Sequence, residues 1–390
     1  MENKIGIEQI GFFIPNLYIT MDDLAAARDV DPNKFKIGIG QDEQAVAPLS
    51  QDIVTLGVNA ALEWFQDEMK DKIGLLIFGT ESSIDESKAA AMYVKSLLGI
   101  NDACRCFEIK EACYGATAGL MTAIDFVKNH PNKKAIVIGS DIARYGLNTS
   151  GEVTQGAGAV AMLISNEPKI ISFNDITTVF SKNIMDFWRP SYQDTAIVDG
   201  HYSVEQYLKF FQNVWKCHNE KTGLNINDYN SICFHLPFTK QGLKALNLII
   251  DSADNEHKDL LMKNFINSTL YGRRIGNTYT ASLYISFISL LENSNNINEE
   301  DLIGFFSYGS GAVSEFFTGK ILNNYKDYLH ISAHEELFKQ RKKLSIKNYE
   351  KIFNDVIPHN LNDFKIDVSC DLSKTVLSGI KDKKRVYIKR

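Results

Sequence analysis

Three residues in this chain combine side-chain type and setting in a way that suits covalent chemistry on an acyl group: Glu81, Cys113 and His235. Cys113 stands between a short apolar stretch, expected to end as a strand near Ala112, and a run of Gly, Ala and Thr that continues as an apolar helix through 121–127. A helix start carries about half a positive charge and unpaired N–H groups, which favour a thiolate. The same N–H groups can hold the oxyanion of a thioester or ketone under attack. The expectation is a thiol of lowered pKa acting as nucleophile. A buried structural cysteine is the alternative, and the strand–Cys–small–helix setting weighs against it. Glu81 closely follows the continuous apolar run 72–79, which reads as a strand buried on both faces. A carboxylate there can serve as general base, because partial burial raises its pKa, or it can cap the next helix or be solvated. His235 ends the apolar run 230–234 in the same manner, either as a ring satisfied within the core or as part of the site.

The elements that must position these residues repeat. Two buried strands end in Glu81 and His235, and two small-residue turns, at Cys113 and at 276–278, run into apolar helices. Gly156-Ala-Gly-Ala-Val160 returns as Gly309-Ser-Gly-Ala-Val313, and the paired features lie about 153 to 165 positions apart. Shared order implies an internal duplication. The expected organisation is an α/β chain of two similar β-α-β halves, 1–166 with Glu81 and Cys113, and 167–390 with His235, Asn277 and Ser310. With parallel strands, ligands bind beyond the carboxyl ends of the strands, where Glu81, Cys113, His235 and the loops 276–278 and 308–311 all fall. Helices are expected at 21–28 behind Thr20, at 52–65 and at 201–218, and the aromatic-rich stretch 183–200 reads as a long functional loop.

Composition excludes several classes. With 390 residues, 44% hydrophobic, 23% charged and a net charge of −6, this is an ordinary globular composition whose acidity argues against nucleic acid. An anionic substrate must then meet a local basic patch. The most apolar stretch, 281–291, is too short to span a bilayer, and the first residues lack a charged and apolar leader, so a cytoplasmic protein is expected. Cysteines at 104, 106, 113, 217, 233 and 370 form no disulfide framework, and the lone C-x-C does not suggest zinc. His334-Glu-Glu-Leu-Phe338 begins like a zinc-protease motif but lacks its second histidine, so no metal is expected. The glycines of 30–41 lack dinucleotide spacing and read as a surface turn. The basic runs 339–347 and 381–390 read as solvated, and 353–367 as irregular.

Taken together, Thr-Glu81-Ser, Glu-Ala-Cys113-Tyr, His235-Leu-Pro-Phe-Thr-Lys240 and Gly276-Asn-Thr-Tyr-Thr resemble the bacterial 3-hydroxy-3-methylglutaryl-CoA synthases. So do Ile37-Gly-Ile-Gly-Gln41, Asp186-Phe-Trp-Arg-Pro190 and Tyr308-Gly-Ser-Gly311, and the likeness covers roughly residues 5 to 375. The resemblance implies a thiolase-like fold, with two halves stacked as αβαβα layers, and a homodimer in the mevalonate route to isoprenoids. It implies that Cys113 takes acetyl from acetyl-CoA, that Glu81 removes a methyl proton, and that His235 holds the thioester carbonyl of acetoacetyl-CoA. Backbone N–H groups of Cys113 and Ser310 match the oxyanion hole, and Asn277 a substrate amide. Asp141, Tyr145 and Asp186 match supporting residues. Asp31, Thr154, Ser203, Lys240 and Lys244 match contacts to the CoA ester. Lys240 and Lys244, four apart, would share one helix face suited to phosphates. No cofactor is implied beyond the CoA of the substrates.

Thiolases and ketoacyl synthases share the implied fold but use a second histidine, or a His/Asn pair, where this chain has Glu81. A carrier-protein-dependent synthase that inserts β-branches in polyketides is a closer rival, and the uninterrupted 151–158 loop favours free CoA esters. A catalytically silent acyl-CoA-binding protein is the remaining alternative, against which the full Cys/His/Glu set speaks.

Overall fold

A computed structural model describes residues 4–193 and 195–390. Ten strands pair into one mixed sheet: β1 (Gly6–Phe13), β2 (Ile73–Gly79), β3 (Arg105–Ile109), β4 (Lys134–Ile142), β5 (Ala157–Ser165), β6 (Ile171–Phe173), β7 (Thr178–Ser181), β8 (Ser231–Phe234), β9 (Leu302–Gly309) and β10 (Val313–Ile321). In the first set, β2 is parallel to β3 and β4, β4 antiparallel to β5, and β5 antiparallel to β1. In the second, β8 is parallel to β9, β9 antiparallel to β10, and β10 antiparallel to β6 and β7. The sets join where β6 pairs with both β1 and β10. The pairing thus recurs in chain order, except that among the described residues nothing beyond β8 matches β3.

The helices that matter for the site are α1 (Met21–Ala27), α2 (Ile53–Ala61), α3 (Gly115–Asn129), α4 (Gly200–Thr222), α5 (Thr239–Asn247), α6 (Ser282–Asn293) and α7 (Ile346–Asn354). Successive strand residues point to opposite faces. Leu75, Ile77 and Val137 therefore join one apolar cluster with residues of α3 and α6, whereas Leu76, Phe78, Ile136 and Ile138 join another with α2. On β9, Ile303 and Phe305 belong to the α3–α6 cluster, and Phe306 and Tyr308 to a third built on α4. Ser282 to Leu291 of α6 are all buried, as expected of a helix covered on every side.

Local signals place several elements. Thr20 accepts the Asp23 N–H at 3.2 Å and starts α1. Asp52 accepts the Thr55 N–H at 3.0 Å while the Thr55 hydroxyl receives the Asp52 N–H at 2.9 Å, a capping box that starts α2. Three stretches differ from expectation. Residues 34–39 wind into a π-helical turn closed by Gly40 at φ 83°, and a Cβ there would approach the Thr239 Cβ to 2.9 Å, so this segment is seated on α5. The loop 183–200 contains a short antiparallel pair, Phe187–Trp188 with Ile197–Val198. The tail is not simply solvated: Lys384–Lys389 pairs with Thr375–Lys381, and Tyr387 Oη and Arg385 Nη1 donate to Asp52 Oδ2 at 2.8 and 3.1 Å. Period-two alternation, hidden among the lysines, turns Arg385 and Tyr387 inward.

Candidate active site

β3 ends at Ile109, earlier than expected, and the backbone then turns sharply at Ala112, whose φ is 42°. That left-handed conformation is rare for a residue with a Cβ and re-aims the chain into α3. Cys113 lies two residues before the helix begins. The turn is gripped from the other strand set. A Cβ at Gly309 would come within 2.6 Å of the Glu111 carbonyl oxygen and 2.7 Å of the Tyr114 Cβ, so only glycine permits the approach. Tyr114 Oη donates to Glu315 Oε2 at 2.6 Å, and Thr117 Oγ1 and Ser307 Oγ are hydrogen-bonded at 2.8 Å.

Parallel pairing brings the second group in. Gly79 at the end of β2 lies opposite Ile109 at the end of β3, so the residues just beyond both ends meet. The Cys113 thiol donates to Glu81 Oε1 at 3.2 Å. Glu81 does not cap the next helix, Ala90–Leu98, whose first N–H is accepted by Glu108 Oε2 at 2.7 Å. Asp141, at the end of β4, locks Glu81 in place. Its Oδ1 accepts from the Glu81 N–H at 2.9 Å, Thr80 Oγ1 at 2.9 Å and Ser82 Oγ at 2.8 Å. Its Oδ2 accepts from the Thr280 N–H at 3.1 Å and Thr280 Oγ1 at 2.5 Å.

Burial, and then the charge of Asp141, push the Glu81 carboxyl up to about 8. Burial also pushes the Cys113 thiol well above its usual range, with the Glu81 carboxylate next in effect. This corrects the expectation of a low-pKa thiol. The helix start does lie beside Cys113, but desolvation and three acidic neighbours, Glu81, Asp141 and Asp186, outweigh it. The resting pair is a thiol hydrogen-bonded to a carboxyl that titrates near neutrality.

A cavity of about 260 Å³ opens over Cys113 and is also lined by Tyr145, Thr154, Ser203, His235, Asn277 and Ser310. His235 is buried, and its Nδ1 has no hydrogen-bond partner, so it is not a ring satisfied within the core. Burial lowers its pKa to about 3, leaving a neutral imidazole. Tyr207 Oη and the β9 backbone hold its main chain, the first donating to His235 O at 2.6 Å and the Phe306 carbonyl accepting its N–H at 2.8 Å. Asn277 Nδ2 donates to Tyr145 Oη at 3.1 Å. Buried Asp186 accepts from Tyr308 Oη at 2.7 Å and the Gly311 N–H at 2.9 Å, which fixes the loop bearing Ser310. Lys240, Lys244 and Asp31 lie outside this cavity. Lys240 Nζ donates to the Ile37 carbonyl at 3.2 Å, and Lys244 Nζ stands 5.6 Å from the ring of cavity-lining Phe238. Asp31 is exposed and accepts the Asn33 N–H at 2.9 Å. Among the described residues no group of three or more His, Cys, Asp or Glu is arranged to hold a metal.

Residues 1–169 match the family described as hydroxymethylglutaryl-coenzyme A synthase N terminal, and residues 171–264 and 253–379 match its C-terminal counterpart. The chain belongs to the hydroxymethylglutaryl-CoA synthase family. It is 48% identical over 384 residues to the hydroxymethylglutaryl-CoA synthase of Enterococcus faecalis, covering 98% of this chain and 99% of the relative. It is 28% identical to a polyketide biosynthesis 3-hydroxy-3-methylglutaryl-ACP synthase of Bacillus subtilis, over 98% of this chain and 96% of that one. A crystal structure of HMG-CoA synthase complexed with CoA superposes with a TM-score of 0.97 at 42% identity, covering 99% of this chain and 100% of the other. No helix among the described residues is long and apolar enough to cross a membrane.

Within this family frame, two supports were not foreseen. Gln155 Oε1 accepts the N–H groups of Tyr145 and Gly146 at 2.7 and 3.1 Å, while its Nε2 donates to Tyr349 Oη of α7 at 2.9 Å. The last helix of the chain thereby reaches Tyr145, and through it Asn277. Arg189 donates to the Glu81 carbonyl oxygen. Arg189 does lie in the Asp186–Pro190 motif, but its partner is 108 positions away. For Gln155 the Gly-rich loop was the only sequence signal.

Proposed function

We infer that this protein is a hydroxymethylglutaryl-CoA synthase: it condenses acetyl-CoA with acetoacetyl-CoA and, with water, releases 3-hydroxy-3-methylglutaryl-CoA and CoA. The observation that carries the residue roles is the Cys113–Glu81 hydrogen bond at 3.2 Å, beside the cavity that Cys113 and His235 both line.

In this reading the Cys113 sulfur attacks the acetyl thioester as its proton passes to Glu81 and on to the departing CoA sulfur. Glu81 then removes a methyl proton from acetyl-Cys113, a task suited to a carboxyl of pKa about 8, because base strength and availability are balanced near working pH. Backbone N–H groups of Cys113 and Ser310 hold the enolate oxygen. The enolate carbon attacks the ketone of acetoacetyl-CoA, and the protonated Glu81 returns its proton to the new alkoxide. His235, neutral at working pH, donates an N–H to the second substrate's thioester carbonyl without placing a positive charge beside the enolate. Tyr145 and Asn277 orient the substrates, while Asp141 and Asp186 hold Glu81 and the 308–311 loop. Thr154 and Ser203 contact the CoA ester inside the cavity, and Asp31, Lys240 and Lys244 meet it outside.

Recurrent strand pairing and the division of each strand between two apolar clusters support two similar halves, 1–166 and 167–390, in αβαβα layers. A homodimer and a role in the mevalonate pathway of the cytoplasm complete the reading. Identity of 48% to the Enterococcus enzyme, against 28% to the carrier-dependent one, favours free CoA esters. The test is to mix the purified protein with acetyl-CoA and acetoacetyl-CoA and follow CoA release and product. Condensation that vanishes in Cys113→Ala supports the assignment. A wild-type protein that takes acetyl from acetyl-CoA but never condenses it refutes it.

A further inference from the structure

Glu81 does not lie on the cavity that holds Cys113. It lines a second opening, a polar cleft of about 700 Å³ whose walls include Ser82, Ser83, Glu111, Arg189 and Ser191. Phe187 and Ser310 are walls of both spaces. The hydrogen-bonded Cys113–Glu81 pair therefore links the two spaces, Cys113 being a wall of the cavity and Glu81 a wall of the cleft. Arg189, bonded to the Glu81 carbonyl oxygen, closes one edge of the cleft around that residue.

The reaction inferred above, on which this inference rests, gives the second opening a purpose. After condensation the product is still a thioester of Cys113 while its other end still carries CoA. That tethered arm fills the cavity until the bond to Cys113 is cut, yet water is what cuts it. Water cannot enter by a mouth that its own substrate occupies. We propose that the cleft beside Glu81 is the route by which the hydrolytic water reaches acyl-Cys113, and that Glu81, having returned its first proton to the alkoxide, activates that water as base.

The step balances. Water oxygen bonds to the acyl carbon as one water proton passes to Glu81. The carbon–sulfur bond breaks, Glu81 hands the proton to the Cys113 sulfur, and the new carboxylic acid ionises to release the other. Ser83 and Ser191 are exposed cleft residues that do not line the cavity, Ser83 Oγ donating to Glu108 Oε1 at 2.7 Å. Narrowing the cleft there should slow one step and leave the rest alone.

The test uses the full-length protein as Ser191→Trp and, independently, Ser83→Trp. Acetylation of Cys113 by acetyl-CoA should stay within twofold of wild type, with an unchanged KM for acetyl-CoA. Turnover should fall at least tenfold, and mass spectrometry of enzyme quenched during turnover should show the condensed acyl-CoA adduct accumulating on Cys113. Slow hydrolysis of acetyl-Cys113 after CoA has left, when the cavity mouth is open to water, should fall much less. The proposal is overturned if both variants turn over at the wild-type rate with no added adduct, or if acetylation falls as much as hydrolysis. A wild-type protein that never acetylates would instead refute the reaction itself, so the two failures are distinguishable.

Discussion

Asp141→Asn is the substitution whose consequences are best defined by the geometry. The carboxylate accepts five hydrogen bonds, two of them from backbone N–H groups, those of Glu81 and Thr280. An amide offers one acceptor oxygen and one NH₂. The hydroxyls can adapt, since Thr280 Oγ1 already has the Gly79 carbonyl at 3.1 Å as a second acceptor. A backbone N–H cannot turn away, so in either amide orientation one is stranded in a buried site, at a cost of ~1–3 kcal/mol. The kinetic effect is separable. The negative charge of Asp141 is second only to burial in holding the Glu81 carboxyl near 8. Removing it lowers that pKa, so the ionised base appears at lower pH. Proton abstraction in the wild type should rise with pH through about 8 and then level, since only ionised Glu81 can accept. In Asp141→Asn the rise should begin earlier and reach a lower plateau, because a weaker base abstracts more slowly. Exchange of acetyl-enzyme methyl protons with deuterated solvent, measured against pH, reads this step directly, and a denaturant melt reads the stability. A midpoint that stays near 8 or moves to higher pH would show that Asp141 does not set the basicity of Glu81.

Two further substitution sets probe other parts of the site. Glu81→Ala should still form acetyl-Cys113, more slowly because the thiol proton loses its acceptor although the thiol ionises more easily, but should lose ~10²–10⁴ in condensation together with methyl exchange. His235→Ala should acetylate and exchange normally while binding acetoacetyl-CoA poorly; near-normal condensation by Glu81→Ala would make His235 the base instead. Lys240→Glu and Lys244→Glu should raise the KM for CoA esters, most at low salt, because exposed charge contacts are screened, and an unchanged KM removes both residues from the CoA path.

What could be read from the sequence depended on how local each signal was. The strand–Cys113–helix arrangement is local, and the helix of the structure follows it. Glu81 stood out as a strand-end carboxylate, but its contact with Cys113 needs the parallel register of β2 against β3. The thiol's pKa was misjudged because a helix start is visible in sequence whereas three carboxylates converging from separate strands and loops are not. The tail was misjudged because its lysines masked the two-residue period that turns Tyr387 and Arg385 onto Asp52. Gln155 offered nothing beyond a place in a Gly-rich loop, and its partner Tyr349 lies 194 positions on.

The grip on the Cys113 turn also bears on how the protein becomes active as it is made. Tyr114 is bonded to a residue 201 positions later, and Thr117 to one 190 positions later. Contacts that close such long loops are slow to form, because chain entropy is spent before they exist. A nascent chain that has emerged only through α3 carries the nucleophile but lacks β9 and Glu315, which hold the turn. The geometry that sets the thiol against Glu81 and the cavity is therefore expected only once the later strands are in place. On refolding, acetyl transfer to Cys113 should return only with the slowest phase, well after helical circular dichroism; acylation that kept pace with helix formation would show that the first half arms itself.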